Sequence, residues 1–185
     1  MKDTYLEKIH HSALQQDNFI REILDQSRNS RLDINREEIF FEPLIDETFN
    51  QLKFATSTGR SVEKIIEVRQ TAPFYSDRWR LKVILNNIIS NSIRYRNGKD
   101  PVIKVQVEID GGRARLAVED NGKGIEKEHI DKVYRMFYRA TDDGAGSGLG
   151  LYIVKEAIDK LNGSIAIESE VGKGTTVRFE IPEIQ

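Results

Sequence analysis

Asn87 and Asn91 stand four residues apart in a segment otherwise rich in Leu and Ile. At helical spacing their amides share one face. A buried amide is costly unless paired, so the plain reading is two hydrogen-bonded core asparagines. Arg94 and Tyr95 follow directly on the same stretch. Together the four residues offer a hard carbonyl oxygen for Mg2+, a cation for a phosphate and an aromatic ring for a base, which is the chemistry of a nucleotide.

Three glycine-bearing clusters add to this. Asp120, Asn121, Gly122, Lys123 and Gly124 come where an alternating apolar run ends at Val118. There the carboxylate can accept a hydrogen bond while the glycines let a flat ring approach the backbone. The plain alternative is an ordinary Asp-Asn-Gly turn. Gly144, Gly146, Ser147, Gly148, Leu149 and Gly150 immediately precede a helical pattern, and free amides at a helix start attract anions. The last cluster, Gly172 to Thr176, reads alone as a hairpin turn. Neither the P-loop pattern nor the dinucleotide G-x-G-x-x-G spacing is present, which excludes both of those phosphate-binding frameworks.

The elements that would hold these clusters can be read from periodicity. Leu81, Ile84, Leu85, Ile88, Ile89 and Ile93 make a broad apolar stripe for a helix from about Asp77, its cap, to Arg94. Val102, Val105 and Val107, then Ala114, Leu116 and Val118 across Asp110-Gly111-Gly112, predict a hairpin. Pro43 opens a helix, residues 65–68 form a short strand, and 164–170 and 175–181 form two closing strands. Further helices are expected at 126–137 and 149–161, the second stopped by Gly163. The mixture implies an α+β fold: a mixed, mostly antiparallel sheet covered on one face by helices.

Ahead of this domain, Tyr5, Ile9, Phe19 and Ile23 form a seam on an amino-terminal helix that needs a partner helix. The run Ser27 to Arg31 contains no apolar residue and places a boundary there: 1–31 as one unit, 32–185 as the other. The 185 residues carry 28 basic and 30 acidic side chains, a net charge of -2 that gives no reason to expect nucleic acid or an anionic membrane as partner. With no cysteine, thiol catalysis and zinc clusters are excluded. No apolar run approaches the roughly 20 residues of a membrane span.

In order, the clusters resemble the signature boxes of the catalytic domains of two-component sensor histidine kinases, which share a fold with gyrase-type ATPases. Residues 87–95 look like the asparagine box, 120–124 the first glycine box, 134–139 (Tyr134, Arg135, Met136, Phe137, Tyr138, Arg139) the phenylalanine box and 146–150 the second glycine box, with 172–176 the last. Residues 1–31 resemble the second helix of the dimerisation and phosphoacceptor domain. The resemblance implies that Asn91 ligates Mg2+ and that Asn87 supports the phosphates. Arg94 stands where lysine is usual, Tyr95 lies beside the nucleotide, and Asp120 accepts from the adenine amino group and so rejects guanine. It also assigns nucleotide contacts to Gly122, Gly124, Ile125, Tyr138, Gly146, Ser147, Gly148, Leu149, Gly150 and Thr175. Residues from Glu126 to Gly146 would form the ATP lid, hinged at Gly144 and Gly146, with Arg139 facing the phosphates. Ser92 departs from the usual alanine and Tyr134 from phenylalanine.

The related ATPases resemble E-x-x-x-N at this helix, where the glutamate activates water. Asn87 cannot take a proton. The expected reaction is therefore transfer of the γ-phosphoryl group to a histidine, with positioning and charge neutralisation by Asn87, Arg94, Arg139 and Mg2+. His10 and His11 are followed by Ser12 and Ala13 rather than the usual acidic residue, so the acceptor is expected outside this chain. His129 reads as a solvated helix residue. A response regulator receiver domain, a homodimeric parent kinase and a cytoplasmic location follow from the resemblance. A nucleotide-binding module without catalysis, or an ATPase of the same superfamily, is the alternative.

Overall fold

The computed structural model describes the backbone of residues 2–55, 62–98, 100–141 and 146–185. The elements in chain order are α1 (Lys2–Arg31), β1 (Glu37–Glu38), α2 (Phe41–Ala55), β2 (Glu63–Arg69), β3 (Tyr75–Ser76), α3 (Arg78–Arg94), β4 (Val102–Asp110), β5 (Arg113–Asp120), α4 (Lys127–Ile130), α5 (Gly150–Lys160), β6 (Ser164–Glu170) and β7 (Gly174–Pro182). Five strands form one sheet in the order β2-β4-β5-β7-β6. Its pairs are antiparallel except β2 with β4, which run parallel. The fold is the α+β arrangement expected.

Alternation along the strands decides which face is covered. Ile103, Val105, Val107 and Ile109 of β4, Ala114, Leu116 and Val118 of β5, and Val177, Phe179 and Ile181 of β7 are buried. They pack against Leu44, Ile45 and Phe49 of α2, the stripe of α3, and Val154, Ala157 and Ile158 of α5. Each fully buried aliphatic side chain contributes roughly 1.5–3 kcal/mol relative to exposure. The other face carries ion pairs such as Lys104–Glu67 at 3.0 Å and Arg115–Glu180 at 2.9 Å. Such exposed pairs add little stability and keep that face wet.

The start of α3 is tied to the end of α1 by a polar knot. Asp77 caps α3 by accepting from the Arg80 backbone N–H at 2.9 Å, and the Asn35 N–H donates to its other oxygen at 3.0 Å. The Arg80 side chain, 1% exposed, pairs with Asp77. It also donates to Asn29 Oδ1 at 3.0 Å, to the Asn29 carbonyl at 3.2 Å and to the Leu32 carbonyl at 2.7 Å. A buried guanidinium is tolerated only when so fully partnered. The run Ser27 to Arg31 is the last turn of α1, with Asn29 buried.

The expected helix over 126–137 shrinks to the single turn α4. Beyond it the chain advances in three-residue turns, Lys132 to His129, Arg135 to Lys132 and Tyr138 to Arg135, and Phe137 adopts φ 62°. This path sends Val133 into the core while Met136 and Phe137 stay exposed, which a continuous helix would not do. Among the described residues no helix is long and apolar enough to cross a membrane.

Candidate functional site

One end of the candidate site is built on the last residue of a central strand. β5 lies between β4 and β7, so Asp120 is fixed by pairing with Ile103 on one side and Thr175 on the other. Its Oδ1 accepts from the Gly122 N–H at 2.8 Å and the Thr175 N–H at 3.2 Å. Its Oδ2 accepts from Ser92 Oγ at 2.9 Å. Burial pushes the Asp120 carboxyl above the usual carboxylate range, against the pull of these hydrogen bonds.

Around Asp120 the glycine turns interlock. Gly174 has φ +131°, and a Cβ there would overlap the Asp120 carbonyl oxygen. Gly124, at φ +73°, would likewise strike the Glu170 carbonyl. Lys123 bridges two elements through its backbone, its N–H donating to the Tyr95 carbonyl at 2.8 Å and its carbonyl accepting from Gly172 at 2.7 Å. Ser169 Oγ accepts from the Ile125 N–H at 2.8 Å and stands 2.9 Å from Thr175 Oγ1.

The other end lies between α3 and α5. The Asn87 amide N–H donates to the Val83 carbonyl at 2.9 Å, and its Oδ1 lies 3.0 Å from where a Cβ on Gly150 would stand. A side chain there would have to push the asparagine back by a few tenths of an ångström. Asn91 is half-buried and its side chain has no hydrogen-bond partner among the described residues. A Cβ on Gly146 would sit 2.8 Å from Arg94 Nη1, so the chain re-enters the described region beside that guanidinium and the Tyr95 hydroxyl. Ser147 Oγ accepts from the Leu149 N–H at 3.0 Å, and no side chain caps the start of α5.

Asn91, Arg94, Tyr95, Asp120, Gly124 and Ile125 line one cavity with Tyr138, Arg139, Gly146, Ser147, Gly148, Gly150 and Thr175. Asn87 stands at its edge, and Gly122 supports Asp120 from behind. Leu149 is not brought in: its side chain is 2% exposed and packs with Val83 and Ile153 outside the cavity, leaving its backbone N–H as its link to the site. Gly144 lies outside the described residues, as do the side chains of His10 and His11. His129 is not a solvated residue. Its side chain is 21% exposed and its Nδ1 lies 2.6 Å from the Tyr138 hydroxyl, which it pins at the cavity wall. Sequence reasoning treated Ser92 as a departure only; a hydroxyl one position past Asn91 on an apolar helix was the available signal for its bond to Asp120.

The family model described as Histidine kinase-, DNA gyrase B-, and HSP90-like ATPase matches residues 76–185, from the cap of α3 to the last residue. This chain belongs to that family. It is an ATP-binding catalytic domain of the sensor histidine kinase kind. The methanogenesis regulatory histidine kinase FilI of Methanothrix harundinacea is 34% identical over 96% of the chain and 20% of its own length. The chain thus spans about a fifth of that relative. Among solved structures, the catalytic domain of histidine kinase ThkA superposes with a TM-score of 0.68 at 27% identity, over 80% of this chain and 98% of that one. Full-length ShkA in complex with AMPPNP gives 0.79 at 23% identity, over 99% of this chain and 39% of that one, a likeness of fold.

Proposed function

We propose that this ATP-binding domain takes ATP with Mg2+ and transfers the γ-phosphoryl group to a histidine on a dimerisation helix outside the chain, for relay to an aspartate of a response regulator. In this reading residues 1–31 belong to a dimerisation and phosphoacceptor domain and 32–185 to the catalytic domain, on the cytoplasmic side in the parent. The observation that carries the reading is the Asp120 carboxylate, held by three hydrogen bonds in a cavity that Asn91, Arg94 and Arg139 also line.

The base lies at the Asp120 end, where the free lone pairs of the carboxylate accept from the adenine amino group. Guanine presents a carbonyl there, which leaves two acceptors facing one another. Arg94 and Arg139 take up charge on the phosphates. The unpartnered Asn91 carbonyl oxygen fits a hard cation, and Mg2+ held there would neutralise charge developing on the transferred group. Asn91→Ala is expected to remove the dependence of ATP affinity on Mg2+, measured by titration with and without the metal. An imidazole nitrogen attacks the γ-phosphorus as the bond to the β-γ bridging oxygen breaks, and ADP leaves.

Hydrolysis is disfavoured because Asn87, spent on Val83 and unable to accept a proton, cannot activate water. Incubated with radiolabelled ATP, the chain alone is expected to stay nearly unlabelled. Adding the helix pair that carries the acceptor should yield an acid-labile phosphate. Rapid phosphate release by the chain alone, with no transfer, would assign it to the ATPases instead.

A further inference from the structure

The face that α1 turns toward the catalytic domain is its polar one. Glu22, Asp25, Gln26 and Asn29 recur at helical spacing and are half-buried or buried, whereas Phe19, Ile20, Ile23 and Leu24 are exposed. The helix packs chiefly on α5. A contact made of polar side chains can be exchanged for another polar ligand at little cost, unlike an apolar core.

Among the described residues two hydrogen-bonded attachments hold this face, and they differ in kind. At Asn29 the Arg80 knot is buried and multiply bonded. Two turns earlier, Glu22 accepts from Ser147 Oγ in the turn that opens α5. Burial pushes the Glu22 carboxyl above the usual carboxylate range, against the pull of the Ser147 hydrogen bond and of the nearby Arg94 charge. Ser147 and Arg94 both line the nucleotide cavity. A carboxylate of α1 therefore occupies the Ser147 hydroxyl and lies within electrostatic reach of the Arg94 cation, two groups that would meet phosphate oxygens.

We propose that Glu22 is a resident competitor at the phosphate end of the site, so that bound ATP displaces it and releases α1 to pivot about the Arg80 knot. This rests on the reading that Ser147 and Arg94 receive the phosphates. Adenosine, which lacks phosphates, leaves the contact in place. Because the closed form cannot take ATP, apparent affinity is lowered by the fraction of molecules that are open.

The test uses the whole chain. Calorimetric titration should show Glu22→Ala binding ATP with Mg2+ about threefold to tenfold more tightly than the parent, the effect of losing one charge-assisted hydrogen bond that is half exposed. Adenosine affinity should be unchanged. Asp17→Asn, which removes the same charge from an exposed position on the same helix, should bind ATP as the parent does. In the parent, amide exchange across 19–28 should quicken when ATP saturates the site and not when adenosine does, since an undocked helix frays. Equal ATP affinity in parent and Glu22→Ala with unchanged exchange, or an equal gain in Asp17→Asn, overturns the competitor. Failure of every variant to bind ATP would instead sink the nucleotide reading itself.

Discussion

The two ends of the cavity are held by different means. At the base end the main chain does most of the holding: Asp120 is fixed by two sheet neighbours and two backbone N–H groups, with the Ser92 hydroxyl on its other oxygen, and the glycine turns by carbonyls of the opposite turn. At the phosphate end side chains do more of the holding: Arg94 lies against the Gly146 backbone, Asn87 against the Gly150 backbone, and Ser147 meets Glu22. A flat, invariant base suits a preformed slot, whereas phosphates that arrive with a metal and leave shorter by one group suit donors that can shift. In the proposed reading, rigidity is placed where the base would be recognised and adjustability where the phosphates would bind.

The strongest way to break this comparison is at the glycines. Gly174→Ala puts a methyl group into the Asp120 carbonyl at a left-handed φ, and no side chain can yield. A loss of about 3–5 kcal/mol is expected, lowering Tm by about 6–20 °C. Gly146→Ala meets only the far ends of the Arg94 and Tyr95 side chains, so roughly 1–2 kcal/mol of backbone strain is expected. Equal melting shifts in the two variants would mean that the ends are equally rigid.

Ligand dissection sharpens the same contrast. Asp120→Ala should weaken ATP and adenosine alike, by roughly fivefold to 150-fold, since the adenine amino group loses its acceptor. Arg94→Ala should weaken ATP and spare adenosine. Parallel losses of both ligands in both variants would show that the ends do not act separately.

Asp120 also gives the base end a pH signature. Its carboxyl lies above the ordinary 3.8 in the folded protein, so the folded state holds its proton more tightly than the unfolded chain. Ionised Asp120 therefore costs stability at neutral pH, and the cost is relieved as pH falls through the raised value toward 3.8. Asp120→Asn should lack that segment of the stability profile. A side-chain carboxyl resonance titrating below 3.8 would contradict the burial argument.

The smallest expected effect lies behind the cavity wall. The Tyr134 hydroxyl is buried with no partner among the described residues, and burial pushes it up to about 12. Tyr134→Phe should raise stability by about 1 kcal/mol, read from chemical denaturation. A loss instead would reveal a bond that the hydroxyl does make.

What was legible in the sequence was local. The stripe, the Asp77 cap and the paired asparagines fall within one helix, and the β4-β5 hairpin is announced by Gly111 and Gly112. What was not legible depended on residues far apart in the chain. Asn29 belongs to α1 because Arg80, 51 residues on, needs its amide. Ser92 joins the site because Asp120 comes 28 residues later. The segment after α4 has helical spacing, but Val133 and Tyr134 turn to the core while Met136 and Phe137 stay exposed, and tertiary contact overrode the pattern. Nothing local in the sequence sets Glu22 apart from other helix charges; the turn before α5, 125 residues on, places Ser147 against it.

The Arg80 knot makes α1 a lever with unequal arms. At 1.5 Å per residue, Glu22 lies about 10 Å from the fulcrum at Asn29, and the part of α1 near Tyr5 lies about 36 Å away. A sideways shift of about 2 Å, enough to part a carboxylate from a hydroxyl, becomes roughly 7 Å at the far end if the helix stays straight. Working in reverse, a push on the long arm reaches the cavity reduced in distance and multiplied in force.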